Sequence, residues 1–556
     1  MSSLLRRFAL ALTLTLIAHP GLGQPPASGV QVRMENGASQ ILVQGKPYLI
    51  LGGELGNSSS LTAAEADTIL PRLARLHFNT ALMPVAWDEI EPTEGQFDFT
   101  VPDHWIDVAR QQRMHLVFLW FGSWKNAFSE YAPASVLANP ERFPRAISAQ
   151  GLPLEILSAL GQETARADAH AFAALMRHLK ERDADQQTVL MIQVENEIGT
   201  LGIGGRDRSA PANELFAAPV PAQLASYLAA HSDQLSSAIA EHYNANGRTW
   251  HEMFGANADE IFQAWCYGLF AQQVAAAGKS AYDLPLYMNA QLPAPFESAG
   301  EYPSGGPYPK VQAIYRAASP AIDFYAPDIY WPDFAAWVHD YQAAGNPAFV
   351  PEARLDVAPW NALYLYGQAR GFGYSPFAVD SLPENPEHGG PEHAPSESSA
   401  AGPTLPDVYA ALSDLAPLLL EAQQQDRVRA LTLDAGSPRP SQTVALGGFL
   451  FRAMLSRSWP ARELTSSHGA MLVLETRPNE FLITGSGLTV NFQRDPDADA
   501  QVAGIASVEQ VSYSSGQWVT ERNLNGDQTD QGRGLLLDAH KCRVYRLRLY
   551  TYAARE

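Results

Sequence analysis

Along the first two-thirds of the chain, short unbroken apolar runs alternate with longer stretches whose apolar residues recur every three or four positions. The runs are PYLILGGEL near residue 50, NTALMPVAW near 83, HLVFLWFG near 118 and TVLMIQVEN near 192. LPLYMNAQ near 287, DFYAPDIYW near 327, NPAFVPEAR near 350 and GFGYSPFAVD near 376 follow. Each is bounded by Gly, Pro, Asn or charge. Apolar runs of this length read as strands buried on both faces, as in a parallel sheet covered by helices. Between them, AHAFAALMRHLKERD and DEIFQAWCYGLFAQQVAAAGK carry helical spacing. Eight such strands predict an α/β fold, a closed (β/α)8 TIM barrel. The competing architecture is an open doubly wound sheet, and no glycine-rich dinucleotide fingerprint follows the first strand to support it.

The pattern changes in ENPEHGGPEHAPSESSAAGP, residues 384–403, which cannot build a core and reads as a flexible loop. A helical stretch, LPDVYAALSDLAPLLLEAQQQ, comes next. From Arg427 onward short alternating segments such as ALTLDAG, GGFLFRAM, AMLVLETR and RVYRLRLYTY are separated by turn residues, which predicts an antiparallel β-sandwich. The expected division is a barrel over 24–425 and a C-terminal β-sandwich domain over 426–556. The second domain carries no residue cluster that suggests catalysis.

Composition adds the setting. The chain is 46% hydrophobic, as folded proteins are, and its formal charge of −21 argues against nucleic acid, which needs clustered Lys and Arg. Arg6 and Arg7 precede the apolar run FALALTLTLIA, and Gly21-Leu22-Gly23 offers a small-x-small cleavage site. Residues 1–23 therefore read as a secretory signal peptide, too short to span a membrane stably. No cysteine follows the run to take a lipid, and no second long apolar stretch is present, so a periplasmic or secreted protein without a membrane anchor is expected. Cys266 and Cys542 fall in different expected domains and specify no disulfide framework; both are expected to be buried or unpaired. His388 and His393 lie in the Pro/Gly-rich loop without ligand spacing, so neither a metal nor a cofactor is predicted.

In a barrel of this kind the C-terminal ends of the strands line the active-site mouth. Here the first strand ends at Glu54 and the fourth at Glu195, Asn196 and Glu197. The fifth ends at Asn289, the sixth at Asp328 and Tyr330, and the seventh at Glu352 and Arg354. Trp87, Trp120, Trp124 and Trp331 fall near the same ends. Carboxylates among aromatic platforms suggest a sugar site, because apolar sugar faces stack on rings while hydroxyls need fixed partners. A lone strand-end glutamate such as Glu54 is more often a solvated loop residue or an arginine's partner. Glu197 and Glu352 differ, because strands four and seven face each other across a small barrel. Two carboxyl groups about 5–5.5 Å apart are what a retaining glycosidase needs, one as nucleophile and one as acid and base.

QVENEIG together with FVPEAR resembles the catalytic pair of glycoside hydrolase family 35, the β-galactosidases of the large barrel clan. WDEIEPTEGQFDF, Trp87 to Phe99, is similar to that family's segment after the second strand. The resemblance covers roughly Pro47 to Gln424, and NEFLITGSGLTVNF looks like the small C-terminal domain of one bacterial branch. It implies Glu197 as acid/base, Glu352 as nucleophile, Asn196 as donor to the sugar 2-hydroxyl and Tyr330 as the residue orienting the nucleophile. Where many members carry a tyrosine, this chain has Pro84, and SWKNAFSEY replaces their Glu-Trp loop after the third strand. Trp124, Lys125 and Asn126 are the candidates to stand in for those contacts, with Glu54 and Trp331 completing the expected sugar-binding set. The implied function is an exo-acting β-galactosidase on oligosaccharides, and the bacterial branch suggests xyloglucan side chains. The alternatives are a β-glucosidase or α-L-arabinosidase of the same clan, or a carbohydrate-binding protein on an inactive barrel.

Overall fold

Eight parallel strands surround a closed barrel in the computed structural model, which describes residues 29–202, 204–383, 402–497 and 501–553. They are β1 (Ile50–Glu54), β2 (Thr80–Ala86), β3 (His115–Phe121), β4 (Val189–Val194), β5 (Leu286–Gln291) and β6 (Phe324–Ile329). β7 comes in two pieces, Phe349–Val350 and Glu352–Ala353, and β8 is Gly373–Tyr374. Pro351, which has no N–H for the ladder, separates the pieces of β7. The first piece pairs with β8 and the second with β6, and this closes the ring. The register aligns Gln291 with Asp328 and Asp328 with Glu352, so three polar side chains stand in a row across β5, β6 and β7.

Every residue of β1, β2 and β4 is buried, which is why these runs are apolar without alternation. Long helices cover the outside, with Gln162–Asp183 packed against Ala258–Ala281. The helix Leu405–Gln424 starts with a reciprocal capping box between Thr404 and Asp407. It reaches back into the barrel through the Tyr409 hydroxyl, 2.8 Å from the Gly52 carbonyl and 2.9 Å from that of Tyr374.

An antiparallel ribbon of three strands, Gln31–Glu35, Ala38–Val43 and Lys46–Tyr48, precedes the barrel. PYLILGGEL, read as one strand, is two elements, because Lys46–Tyr48 belongs to this ribbon and the barrel strand starts at Ile50. The turns explain the split. Asn36-Gly37 and Gln44-Gly45 each place two consecutive residues at positive φ, the geometry of tight hairpins.

From Val428 the chain forms a six-stranded and a four-stranded antiparallel sheet. Alternation along its strands serves two cores. Leu431, Met471, Val473 and Ile483 face the four-stranded sheet, meeting Phe449, Phe451 and Val490. Ala430, Leu472 and Leu474 face the barrel instead and pack on the helix Ala358–Gly367. A Cβ on Gly367 would lie 2.6 Å from that of Ala430, so the close approach requires glycine. Cys266 and Cys542 are both free thiols. Among the described residues no helix is long and apolar enough to cross a membrane. The expected leader and the loop carrying His388 and His393 lie outside the described residues.

Candidate active site

The end of β4 makes a tight turn with Glu195 at φ +59° and Glu197 at φ +45°, a left-handed backbone that few non-glycine residues adopt. Hydrogen bonds to the loop after β3 hold it there. The Asn196 N–H donates to the Trp124 carbonyl at 3.2 Å, the Trp124 N–H to the Glu195 carboxyl at 2.9 Å and the Ala127 N–H to the Glu197 carbonyl at 3.1 Å. From β5, Asn289 Oδ1 accepts the Glu197 N–H at 3.0 Å.

Glu195 itself points away from the mouth. Its carboxyl contacts that of Asp168, which accepts the Trp120 indole N–H at 2.9 Å, the Ser123 N–H at 2.9 Å and the Ser123 hydroxyl at 2.6 Å. Burial first, then the Asp168 charge, hold Glu195 well above the ordinary carboxyl range. This buried acid pair is a support under the loop that presents Lys125 and Asn126. Gly122 is forced by the same packing, since a Cβ there would fall 2.8 Å from Asp168 and 2.9 Å from Glu195.

Glu352, from β7, faces Glu197 across the mouth. Oxygens of Glu197, Asp328 and Glu352 all lie within 4.8 Å of one another. The Tyr330 hydroxyl donates to Glu352 Oε1 at 2.5 Å, while the Asn126 amide donates to Glu197 Oε2. Asn289 Nδ2 donates to Asp328 Oδ2 at 2.6 Å, and the carboxyl of Asp328 is in hydrogen-bonding contact with that of Glu197. Glu54 contacts Glu352 in the same manner.

Four buried carboxyls around one ammonium cannot all be ionised cheaply. Burial, with the charge of Glu352 next, holds Glu54 and Asp328 well above the ordinary carboxyl range. Glu197 is pushed up to about 7 by burial and then by Glu352, with Lys125, Asp328 and Asn126 pulling the other way. Burial pulls the Lys125 ammonium down, but Glu352, Glu197, Glu54 and Asp328 outweigh it and strengthen its hold on the proton. Three carboxyl groups at this spacing could surround a small cation. Here Lys125 already supplies a positive charge, and amide and hydroxyl donors serve the same oxygens, an arrangement suited to moving protons.

A cavity of about 270 Å³ opens above the carboxyls, near the lower end of ligand-sized pockets (roughly 300–1,000 Å³). Glu197, Glu352, Asn126, Tyr330 and Trp331 line it together with Lys125, Asp328, Asn57, Gln291, Leu292 and Phe377. Trp331 is fixed by its indole N–H, which donates to the Leu292 carbonyl at 2.9 Å.

Three expected sugar contacts sit elsewhere. Trp124 is a correction. Its indole is fully buried between Tyr267 and Phe270 and donates to the Leu157 carbonyl at 3.1 Å, so only its backbone serves the site. Trp87 and Trp120 are likewise turned inward, bonded to Glu91 and Asp168. Glu54 is buried below the cavity against Glu352, and Asn196 is buried with both side-chain atoms unpartnered by protein. Asn57, Gln291 and Phe377 line the cavity without belonging to any motif in the sequence. Gln291 alone had a signal, at the end of an apolar run.

Residues 405–536 match a family described as a domain of unknown function, DUF5597. The comparison with curated proteins gives no match. Among solved structures, the chain is similar to a β-galactosidase from Halorubrum lacusprofundi at 14% identity and TM-score 0.38, covering 59% of this chain and 52% of that one. It is also similar to an endo-1,4-β-mannanase from Rhizomucor miehei, at 12% identity and TM-score 0.39, covering 63% and 90% of the two chains. A catalytic mutant of a GH42 β-galactosidase from G. stearothermophilus is similar at 12% identity and TM-score 0.47, with 90% and 98% covered. The chain thus spans about half the length of the haloarchaeal enzyme and nearly all of the GH42 enzyme.

Proposed function

We propose that this chain is a retaining, exo-acting β-glycosidase that removes terminal β-D-galactosyl units from oligosaccharides, xyloglucan side chains among them. The observation that carries it is the opposition of Glu197 and Glu352 within 4.8 Å across the barrel mouth. A gap that short leaves no room for a water between carboxylate and sugar, so the reaction passes through a covalent intermediate. Glu352 attacks the anomeric carbon as Glu197 gives its proton to the departing oxygen. Glu197, now a carboxylate, takes a proton from water, whose oxygen displaces Glu352 and returns the enzyme to its starting state. An acid that titrates near neutrality can serve in both directions. The small cavity suits one terminal sugar, which supports exo action. The leader-like N-terminus supports a site of action outside the cytoplasm.

Galactose rests on the resemblance of QVENEIG and FVPEAR. Pro84, which departs from the family's tyrosine, lies in β2 outside the cavity lining, its carbonyl bonded to the Ser60 hydroxyl at 2.7 Å. Recognition of the sugar hydroxyls then falls to Lys125, Asn126, Asn57 and Gln291. The mature protein, tested on nitrophenyl β-glycosides, should cleave the galactoside far faster than the glucoside. A site built to bond one hydroxyl rejects its misplacement by roughly 10⁴. A higher kcat/KM on the glucoside or the α-L-arabinoside would move the assignment to that sugar and leave the two-glutamate reaction standing.

A further inference from the structure

The carboxyl of Asp328 has no part in bond making, yet it stands at the centre of the site. Its Oδ2 accepts from Asn289 Nδ2 at 2.6 Å, and the other end of the same amide accepts the Glu197 N–H at 3.0 Å. Asp328 therefore fixes which way the Asn289 amide faces, and Asn289 in turn fixes the left-handed turn that carries Glu197. The remaining oxygen, Oδ1, is fully buried and finds no N–H or O–H donor among the described residues. The carboxyl of Asp328 is in hydrogen-bonding contact with that of Glu197. Two carboxyl oxygens in hydrogen-bonding contact need one proton between them.

Resting on the glycosidase reading of this site, we propose that Asp328 and Asn289 are positioning residues acting through Glu197: Asn289 locks the turn, and neutral Asp328 donates its proton's hydrogen bond to the Glu197 carboxyl. Burial and the carboxyl charges around Asp328 favour its neutral form. Glu197 faces it from the end of β4, Glu352 from β7 and Glu54 from β1, while Tyr287 from β5 and Tyr341 from the helix Phe334–Ala343 lie close without ionising. Lys125, from the loop after β3, is a cation that faces the group and favours the ionised form. A neutral donor beside Glu197 steadies the carboxylate left behind after proton transfer, and an ionised Asp328 would oppose that step. The acid in the reaction thus has a second acid that keeps its own proton and only points it.

The test uses the fact that asparagine mimics a protonated aspartate in shape and in donors. The full chain is labelled with [δ-¹³C]glutamate, and the Glu197 carboxyl signal is identified by its loss in Glu197→Gln. In Asp328→Asn the titration midpoint of Glu197 should stay at its wild-type position. In Asp328→Ala, where the donor is gone, it should rise by about one pH unit. With nitrophenyl β-galactoside, kcat should fall roughly 10²-fold in Asp328→Ala, the scale of a small misplacement, and Asp328→Asn should recover most of that loss. A clear fall of the midpoint in Asp328→Asn would show that an ionised Asp328 had been holding Glu197 up, and would overturn the proposal. So would an alanine variant with unchanged midpoint and kcat. If the wild type cleaves no glycoside at all, the functional reading fails, and the carbon titration still decides the proton arrangement.

Discussion

At the scale of the residue, the two glutamates differ in what they touch. Glu352 accepts the Tyr330 hydroxyl at 2.5 Å and contacts Glu54, so its carboxylate is held from two sides and aimed at the cavity. Burial and the neighbouring Glu352 keep the Tyr330 hydroxyl protonated, which makes it a permanent donor. Glu197 has Asn126 and Asp328 as partners and titrates near 7. Replacing Glu352 by glycine should abolish turnover, and a 2-fluoroglycoside should label this residue alone in a peptide map. A label on another carboxylate would remove Glu352 from the reaction. Glu197→Ala should cost roughly 10²–10⁴-fold on substrates with poor leaving groups and far less in the first step of an activated aryl glycoside. Azide should restore turnover as a glycosyl azide. In the wild type, kcat/KM should fall as pH rises through about 7, where Glu197 loses its proton. Glu197→Gln should lose that limb.

At the scale of the element, the loop Gly122–Asn126 is held from beneath by Asp168 and Glu195, and its two ends have different jobs. Ser123 and Trp124 bond downward to the acid pair, while Lys125 and Asn126 face the cavity. Asp168→Ala removes the acceptor for the Trp120 indole, the Ser123 N–H and the Ser123 hydroxyl. Each buried donor left unpaired costs roughly 1–3 kcal/mol, so urea unfolding should show a loss of a few kcal/mol. A loss of kcat should accompany it as Asn126 moves from Glu197. Unchanged stability would mean the pair supports nothing. The barrel strands were legible in the sequence because burial on both faces writes a continuous apolar run. The direction of a strand-end side chain was not. A tryptophan beside a carboxylate reads the same whether its ring faces a sugar or, as with Trp124, packs on Phe270. The clamp of Asn289 on both Glu197 and Asp328 depends on register among three strands far apart in sequence, which no local pattern records.

At the scale of the whole molecule, the site has a consequence for stability that runs against the usual acid unfolding. A carboxyl whose pKa is higher in the folded state binds its proton more tightly there. Its contribution to stability is complete below the unfolded value, about 4.3 for glutamate, and is lost as pH rises through the folded one. Glu54, Asp328 and Glu195 are all held well above their ordinary range, chiefly by burial, and Glu197 is at about 7. Surface carboxylates beside arginines act in the opposite sense. Asp426, lowered by its hydrogen bonds from Arg429 and by Arg370, supports the fold above its unfolded value and stops doing so as pH falls through the folded one. The folded chain should therefore be most stable in mildly acidic solution, and it should weaken toward the alkaline side because the buried carboxyls are asked to ionise around Lys125. Glu54→Gln isolates this effect, since glutamine keeps the shape and the donor toward Glu352 and has no proton to lose. In thermal melts the Tm of this variant should match or fall below the wild type near about pH 4 and exceed it increasingly toward about pH 8, above the unfolded glutamate value. A Tm difference that stays constant across that span would mean that Glu54 takes up no proton on folding.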